Sequence, residues 1–277
     1  MWRSLRQRQT LASFDYQWGH IPAGDAMLSD EWFLSNVDRI VADELLGIDR
    51  SWFAARTALD AGCGGGRWTL GLLRLGCRVL AVDASAHAVA ATRAQMEQLA
   101  PDAVAQGRLE TGNADLLSLP ASLAERRFDL VFSFGVLHHT GETRRALGNV
   151  ARLVGARGVL FVYLYGSRSA PAAARTIVNG VRMALSPLPF AAKRAVLARL
   201  LPGRDTHQAF DLLSPLINET SAAATVEVWL REEGFTSVAR TLPHTDLFFR
   251  AARAGADLPF RPAPEPPYWF DRYRRRS

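Results

Sequence analysis

The stretch Ala58-Leu59-Asp60-Ala61-Gly62-Cys63-Gly64-Gly65-Gly66-Arg67 runs apolar residues into an acid and then into a glycine cluster. A second apolar run, Arg78-Val79-Leu80-Ala81-Val82, ends on Asp83. Strand, glycine turn, helix and second strand make a βαβ unit. Glycines let the backbone turn sharply and approach a ligand with no Cβ in the way. An acid at the end of the second strand can accept from the two hydroxyls of a ribose. The chemistry on offer is therefore the holding of a ribosyl cofactor, and glycine spacing narrows the choice. A dinucleotide fingerprint needs G-x-G-x-x-G, but Arg67 stands where the third glycine belongs. Asp60, just before the loop, would repel a pyrophosphate but could orient an ammonium group. A cofactor with an amino-acid ammonium and no phosphate fits better.

This run resembles motif I of class I S-adenosylmethionine-dependent methyltransferases, an acid followed by G-x-G-x-G, and Asp83 is similar to their ribose-binding acid. Further segments continue the resemblance. Thr111-Gly112-Asn113-Ala114-Asp115, ahead of Leu119-Pro120, is similar to the family's adenine-side loop G-[DN]-A-x-x-L-P. The resemblance implies an adenine contact from the Asn113 amide and a backbone N–H from Ala114. Two extra residues before Leu119 leave Asn113 and Asp115 both open as the adenine partner. Phe128-Asp129-Leu130-Val131-Phe132-Ser133-Phe134-Gly135-Val136-Leu137-His138-His139 is similar to F-D-x-V-x-S-x-x-V-L-H-H. It implies that Ser133 and Phe134 border the methionine part of the cofactor. The implied cofactor set is Asp60, Gly62, Gly64, Asp83, Ala84, Asn113, Ala114, Asp115, Ser133 and Phe134, around S-adenosylmethionine. The resemblance spans about residues 55 to 166.

A sulfonium methyl group is already electrophilic, so the protein need only position an acceptor and exclude water. A hydroxyl or acidic-carbon acceptor also needs a base within hydrogen-bond reach. His20, His138, His139, His207 and His244 are the candidate bases. His207 leads, because Asp211 lies four residues on, where a helical turn would let the carboxylate raise and orient the imidazole. The same stretch also reads as a surface turn closing an insertion. His138 reads as either a base or framework. Trp18, His20 and His139 are read as lid residues over the substrate. After Leu130-Val131-Phe132 the chain lacks the [DN]-P-P-[FY] of amino-methylating enzymes, so oxygen or carbon of a small metabolite leads as acceptor.

Two cysteines, Cys63 and Cys77, make neither a disulfide framework nor a zinc set, which suits a reducing cytoplasm. No apolar run approaches the length of a membrane span. Tyr165 to Arg204 carries seven cations (Arg168, Arg175, Arg182, Lys193, Arg194, Arg199, Arg204) and no acid, which favours an anionic or carrier-bound small substrate. Tyr268, Trp269, Phe270 and Tyr273 interleave with arginines in the tail, as aromatics do in single-stranded RNA binders. A tRNA-modifying enzyme is therefore the alternative, along with C- or N-methylation of a small molecule.

These residues need a frame. The expected fold is α/β, a Rossmann-like doubly wound sheet, mostly parallel with an antiparallel edge strand, plus a helical lid insertion. Expected boundaries are an N-terminal lid segment and helix over 1–50, the cofactor core over 51–166 and the lid insertion over 167–220. The last helix and antiparallel strand pair follow over 221–255, then a Pro/Arg-rich tail over 256–277. In the lid segment, Phe14 to His20 reads as an aromatic-rich loop, and Ser29 as the cap of a helix running to Leu46, stopped by Gly47. In the insertion, a helical pair is expected, the first helix entering at Pro171 with Ile177, Val181 and Leu185 on one face. The second carries Phe190, Leu197 and Leu201.

Overall fold

The computed structural model describes residues 4–21, 26–168, 171–201, 206–242, 246–256, 258 and 260–262. Seven strands form one sheet: β1 (Thr57–Ala61), β2 (Arg78–Asp83), β3 (Leu109–Asn113), β4 (Phe128–Phe134), β5 (Val154–Leu164), β6 (Ser237–Arg240) and β7 (Leu247–Ala252). Their order is β3-β2-β1-β4-β5-β7-β6. The first five strands are parallel, and β7 runs antiparallel to both β5 and β6. The expected sheet, with its antiparallel edge, is the one observed.

Both faces of the sheet are covered, which is why its central strands read as continuous apolar runs. On one face Phe132 and Phe161 pack with Phe33, Val37, Val41 and Trp68. On the other, Val131 and Val162 pack with Leu147, Val150 and Leu230. Phe132 and Phe161 are fully buried and stack at 4.5 Å. The chain leaves β1 toward β2 on one side and returns to β4 on the other, so a crevice opens at the carboxyl ends of β1 and β4. In open α/β sheets that switch point is where ligands bind.

The elements above this crevice depart from expectation. Phe14 to His20 is no loop. It is the second half of a helix, Leu5–His20, that opens with a reciprocal capping box: Gln7 N donates to Ser4 Oγ at 3.2 Å, and Ser4 N donates to Gln7 Oε1 at 2.8 Å. Its buried face is Gln7, Thr10, Ser13 and Gln17, so the period of burial is helical but carried by polar side chains, which an apolar-periodicity reading passes over. Glu31–Arg39 continues as a π-helix, Ile40–Leu46, ended by Gly47 at φ 61°. Its cap is Asp30 rather than Ser29: the carboxylate accepts from Trp32 N and Phe33 N at 2.8 and 3.2 Å.

The insertion holds three helices instead of two: Ala172–Leu185, Phe190–Leu200 and Thr206–Leu213. The third packs against the other two and against Leu5–His20, and it is the one that reaches the crevice. Ile177 and Val181, expected on a packed face, are 67% and 37% exposed. The first helix docks through buried Arg182, whose Nε donates to the Leu212 carbonyl at 2.8 Å.

Candidate active site

A cavity of about 270 Å³ lies at the switch point. Its floor is the turn after β1. Gly62 sits at φ +90°, and a Cβ there would lie 2.3 Å from Val136. Gly64 sits at φ +53°, and a Cβ would lie 2.6 Å from the Trp18 indole, so both positions require glycine twice over. The turn is fastened to the next strand by Gly62 N and Cys63 N, which donate to the Val82 carbonyl at 2.8 and 3.0 Å.

At the end of β2, Asp83 lines the cavity. Its carboxylate accepts from Gly64 N at 3.1 Å and from Ser85 N at 2.9 Å. Burial holds its pKa above the usual carboxylate value, against the backbone hydrogen bonds that lower it. Ala84 and Asp115 also line the cavity. Asp115 is fixed by accepting from Leu117 N at 2.9 Å. Of the two residues left open for the adenine edge, the cavity takes Asp115. Asn113 Nδ2 and Ala114 N both donate to the Asp83 carbonyl at 2.9 Å, so they fix the end of β2 and do not line the cavity.

Two further expected ligands lie behind the wall. Asp60 does not line the cavity. It is buried and accepts from Thr69 Oγ1 at 2.6 Å, with its pKa raised to about 7 by burial, the Thr69 hydrogen bond opposing and the nearby Asp83 charge adding to it. Ser133 ties strands together by donating to the Ala61 carbonyl at 2.9 Å. Phe134 does line the cavity, its ring 4.7 Å from Trp68 and 4.5 Å from Tyr163.

The other half of the cavity is roofed by the N-terminal helix and by Thr206–Leu213, and side-chain hydrogen bonds stitch the two together. Ser13 Oγ donates to Ser214 Oγ at 2.6 Å, Gln9 Nε2 donates to the Ser214 carbonyl at 2.9 Å, and Ile217 N donates to Thr10 Oγ1 at 3.1 Å. At the cofactor end, Ser85 Oγ donates to Asp15 at 2.7 Å, and His87 Nδ1 stands 3.0 Å from the same oxygen. Trp18, expected as a lid residue, lies against the glycine turn. His20 is exposed, stacked on Tyr16 at 4.5 Å, and does not line the cavity.

The histidines separate clearly. His207 and Asp211 both line the cavity, but they are not a pair in the expected sense. His207 Nδ1 is 2.8 Å from Gln17 Nε2, an amide nitrogen that can only donate, so this ring nitrogen is an acceptor already engaged. Burial, with the Arg67 charge, lowers the His207 pKa to about 4. Burial lowers the His139 pKa below the usual histidine value, and it is this ring, not His207, whose protonated form the Asp211 charge favours. His138 is buried, stacked on Tyr165 at 3.9 Å, held far below the usual histidine pKa by burial and the neighbouring His139, and absent from the cavity lining. His139 does line the cavity. His244 and the tail aromatics lie outside the described residues.

Sequence reasoning missed Phe14, Gln17, Arg67, Trp68, Tyr163 and Tyr165 in the lining. Tyr163 and Tyr165 had a usable signal: two aromatics two apart at the carboxyl end of β5 point to one face. Gln17 had none, because its role depends on a helix formed 190 residues away in sequence. Among the described residues no cluster of three or more His, Cys, Asp and Glu side chains could hold a metal ion, and no helix is long and apolar enough to cross a membrane.

Comparison with known proteins agrees with this geometry. A family model described as a methyltransferase domain matches residues 59–160. The mitochondrial ubiquinone biosynthesis O-methyltransferase of Schizosaccharomyces pombe is 34% identical over 114 residues, which is 40% of this chain and 39% of that protein. The match therefore spans well under half of that relative. Among solved structures, magnesium protoporphyrin IX methyltransferase from Synechocystis PCC 6803 with bound SAM superposes with a TM-score of 0.54 at 16% identity, covering 91% of this chain and 99% of that one. An O-methyltransferase family protein from Burkholderia thailandensis gives 0.54 at 17% identity, covering 84% and 59%.

Proposed function

We infer, for a chain that belongs to the class I S-adenosylmethionine-dependent methyltransferases, that it methylates an oxygen of a small metabolite. The cofactor is S-adenosylmethionine, and the cavity residues fit it. The glycine turn lines the cavity with bare backbone at positions where a Cβ would strike Val136 or Trp18, and the half-buried Asp83 carboxylate offers acceptors suited to a ribose. Asp115, which lines the same cavity, is the residue this reading assigns to the adenine edge. Bound there, the cofactor supplies an electrophilic methyl group. The protein's own residues do the rest. The turn and Asp83 hold one end of the cavity, while Trp18 and the two roofing helices close it against water. Phe134, Tyr163, Tyr165 and Phe14 give the acceptor half apolar, aromatic walls.

The observation that carries this reading is the continuity of one cavity from Asp83, past the glycine turn, to Tyr165 and His139. A concave, aromatic-walled cavity suits a small acceptor better than a polynucleotide. The O-methyltransferase name of the fission-yeast relative supports oxygen as the acceptor atom. We further propose that the N-terminal segment and the insertion act together as the lid. The test is transfer of label from methyl-tritiated S-adenosylmethionine to panels of hydroxyl compounds, amines and tRNA. Label in the hydroxyl panel is expected. Label confined to amines or RNA would replace this reading with the corresponding alternative.

A further inference from the structure

Resting on that reading, we propose that His139 is the general base of the acceptor site, that Asp211 supports it across the cavity, and that the acceptor is an ionisable hydroxyl on an aromatic ring. The geometry begins with a tautomer. His139 Nδ1 lies 3.0 Å from the Ile217 carbonyl oxygen, and a carbonyl can only accept. The proton of the neutral ring is therefore on Nδ1, and Nε2 carries the lone pair. His139 lines the cavity, while the hydrogen bond from Nδ1 holds the ring in one orientation. Ile217 is held in turn by Thr10 of the N-terminal helix, and Gln7 Nε2 of the same helix donates to the Thr140 carbonyl at 3.0 Å, so that helix fixes this turn both directly and through Ile217.

The competing histidines fail on the same criterion. His207 has Nδ1 engaged by Gln17, and His138 does not reach the cavity. Asp211 does reach it, and its carboxylate makes no hydrogen bond within the described residues. Burial raises its pKa, and His139, Arg67 and Arg182 oppose that shift, so the carboxylate stands in a field of cations and of one titratable imidazole. The charged and titratable groups facing His139 are His138 beside it, Asp211 on Thr206–Leu213, Arg182 on Ala172–Leu185 and Tyr165 at the end of β5. The N-terminal helix contributes only the uncharged Phe14 ring, edge-on at 4.9 Å. Among these, Asp211 alone favours the protonated ring.

The step is simple. The acceptor O–H bond breaks, its proton goes to His139 Nε2, the electron pair stays on oxygen, and the imidazole becomes an imidazolium facing Asp211. Aromatic walls on several sides favour a flat acceptor, and a phenolic hydroxyl is nearer in acidity to an imidazole than an alkyl hydroxyl is, so its proton is the easier one to remove.

The test uses the full chain loaded with S-adenosylhomocysteine, with that binding measured by calorimetry, and p-nitrophenol as a chromophoric probe whose phenolate band reports proton loss. Bound probe is expected to be ionised about tenfold more than free probe at the same pH, a shift of about one pKa unit. His139→Gln, which can still donate to Ile217, should abolish the extra phenolate while keeping S-adenosylhomocysteine affinity. Asp211→Asn should reduce the extra phenolate, and His207→Asn should leave it in place. S-adenosylhomocysteine binding with no extra phenolate, no probe binding, or phenolate unchanged in His139→Gln overturns the proposal and leaves the methyltransferase reading standing. Failure of S-adenosylhomocysteine itself to bind overturns both.

Discussion

The two halves of the cavity are built in different ways. The cofactor half is made of backbone: strand ends, a glycine turn and main-chain amides aimed at Asp83. Behind it lies an apolar sheet in which Phe132, Phe161 and Phe248 are fully buried. The acceptor half is made of helices held by side chains, with Gln9, Thr10, Ser13 and Gln17 reaching across to the insertion and Gln7 to the Thr140 carbonyl. Backbone geometry on a packed sheet is rigid and serves one ligand. Single side-chain hydrogen bonds contribute about 1 kcal/mol each and can open and reseal locally. A transferase that must admit cofactor and acceptor while excluding water is served by that division.

The largest effect expected from breaking this contrast is in the sheet. Phe132→Ala should cost about 3–5 kcal/mol and lower the midpoint of urea unfolding for the whole chain. Gly64→Ala comes next. The residue is at φ +53° with Trp18 2.6 Å from the new methyl, so it should cost about 1–3 kcal/mol. It should also weaken S-adenosylhomocysteine binding in calorimetry. Ser13→Ala, in the other half, should cost about 1 kcal/mol. Its signature is local: faster amide exchange across Leu5–His20 and Thr206–Leu213, with β1 and β4 unchanged. Global loss in Ser13→Ala would erase the distinction between the halves.

The contrast also explains what could be read beforehand. Continuous apolar strands and the glycine turn are encoded within short windows, so the mostly parallel sheet with its antiparallel edge was legible. Helix Leu5–His20 was not, because its buried face is Gln7, Thr10, Ser13 and Gln17, residues whose burial makes sense only once the insertion supplies partners. The pairing of His207 with Asp211 followed from helical spacing, and both residues do reach the cavity. What spacing could not show is that a glutamine from the N-terminal helix engages the His207 imidazole, while the Asp211 charge favours protonation of His139.

The remaining effects are in pH dependence, and the two halves carry opposite signs. Asp60 has a folded pKa of about 7, above its unfolded value of 3.8. The folded state therefore binds more protons between those values, and Asp60 lowers stability as pH rises through that window. His207 has a folded pKa of about 4, below 6.5, so its contribution is present above 6.5 and is lost as pH falls toward 4. Asp60→Asn should therefore flatten the loss toward pH 7, and His207→Gln should flatten the loss toward pH 4. Urea midpoints taken across pH 4 to 8 measure both.

The most direct test of the central claim is calorimetric titration of the purified chain with S-adenosylmethionine, S-adenosylhomocysteine and NAD, repeated on Asp83→Ala. The account predicts micromolar binding of the two adenosyl ligands, none of NAD, and a loss of about 10²-fold in the variant, equivalent to roughly 3 kcal/mol of charged hydrogen bonds. Absence of adenosyl binding, or affinity unchanged by removal of the Asp83 carboxylate, would contradict it.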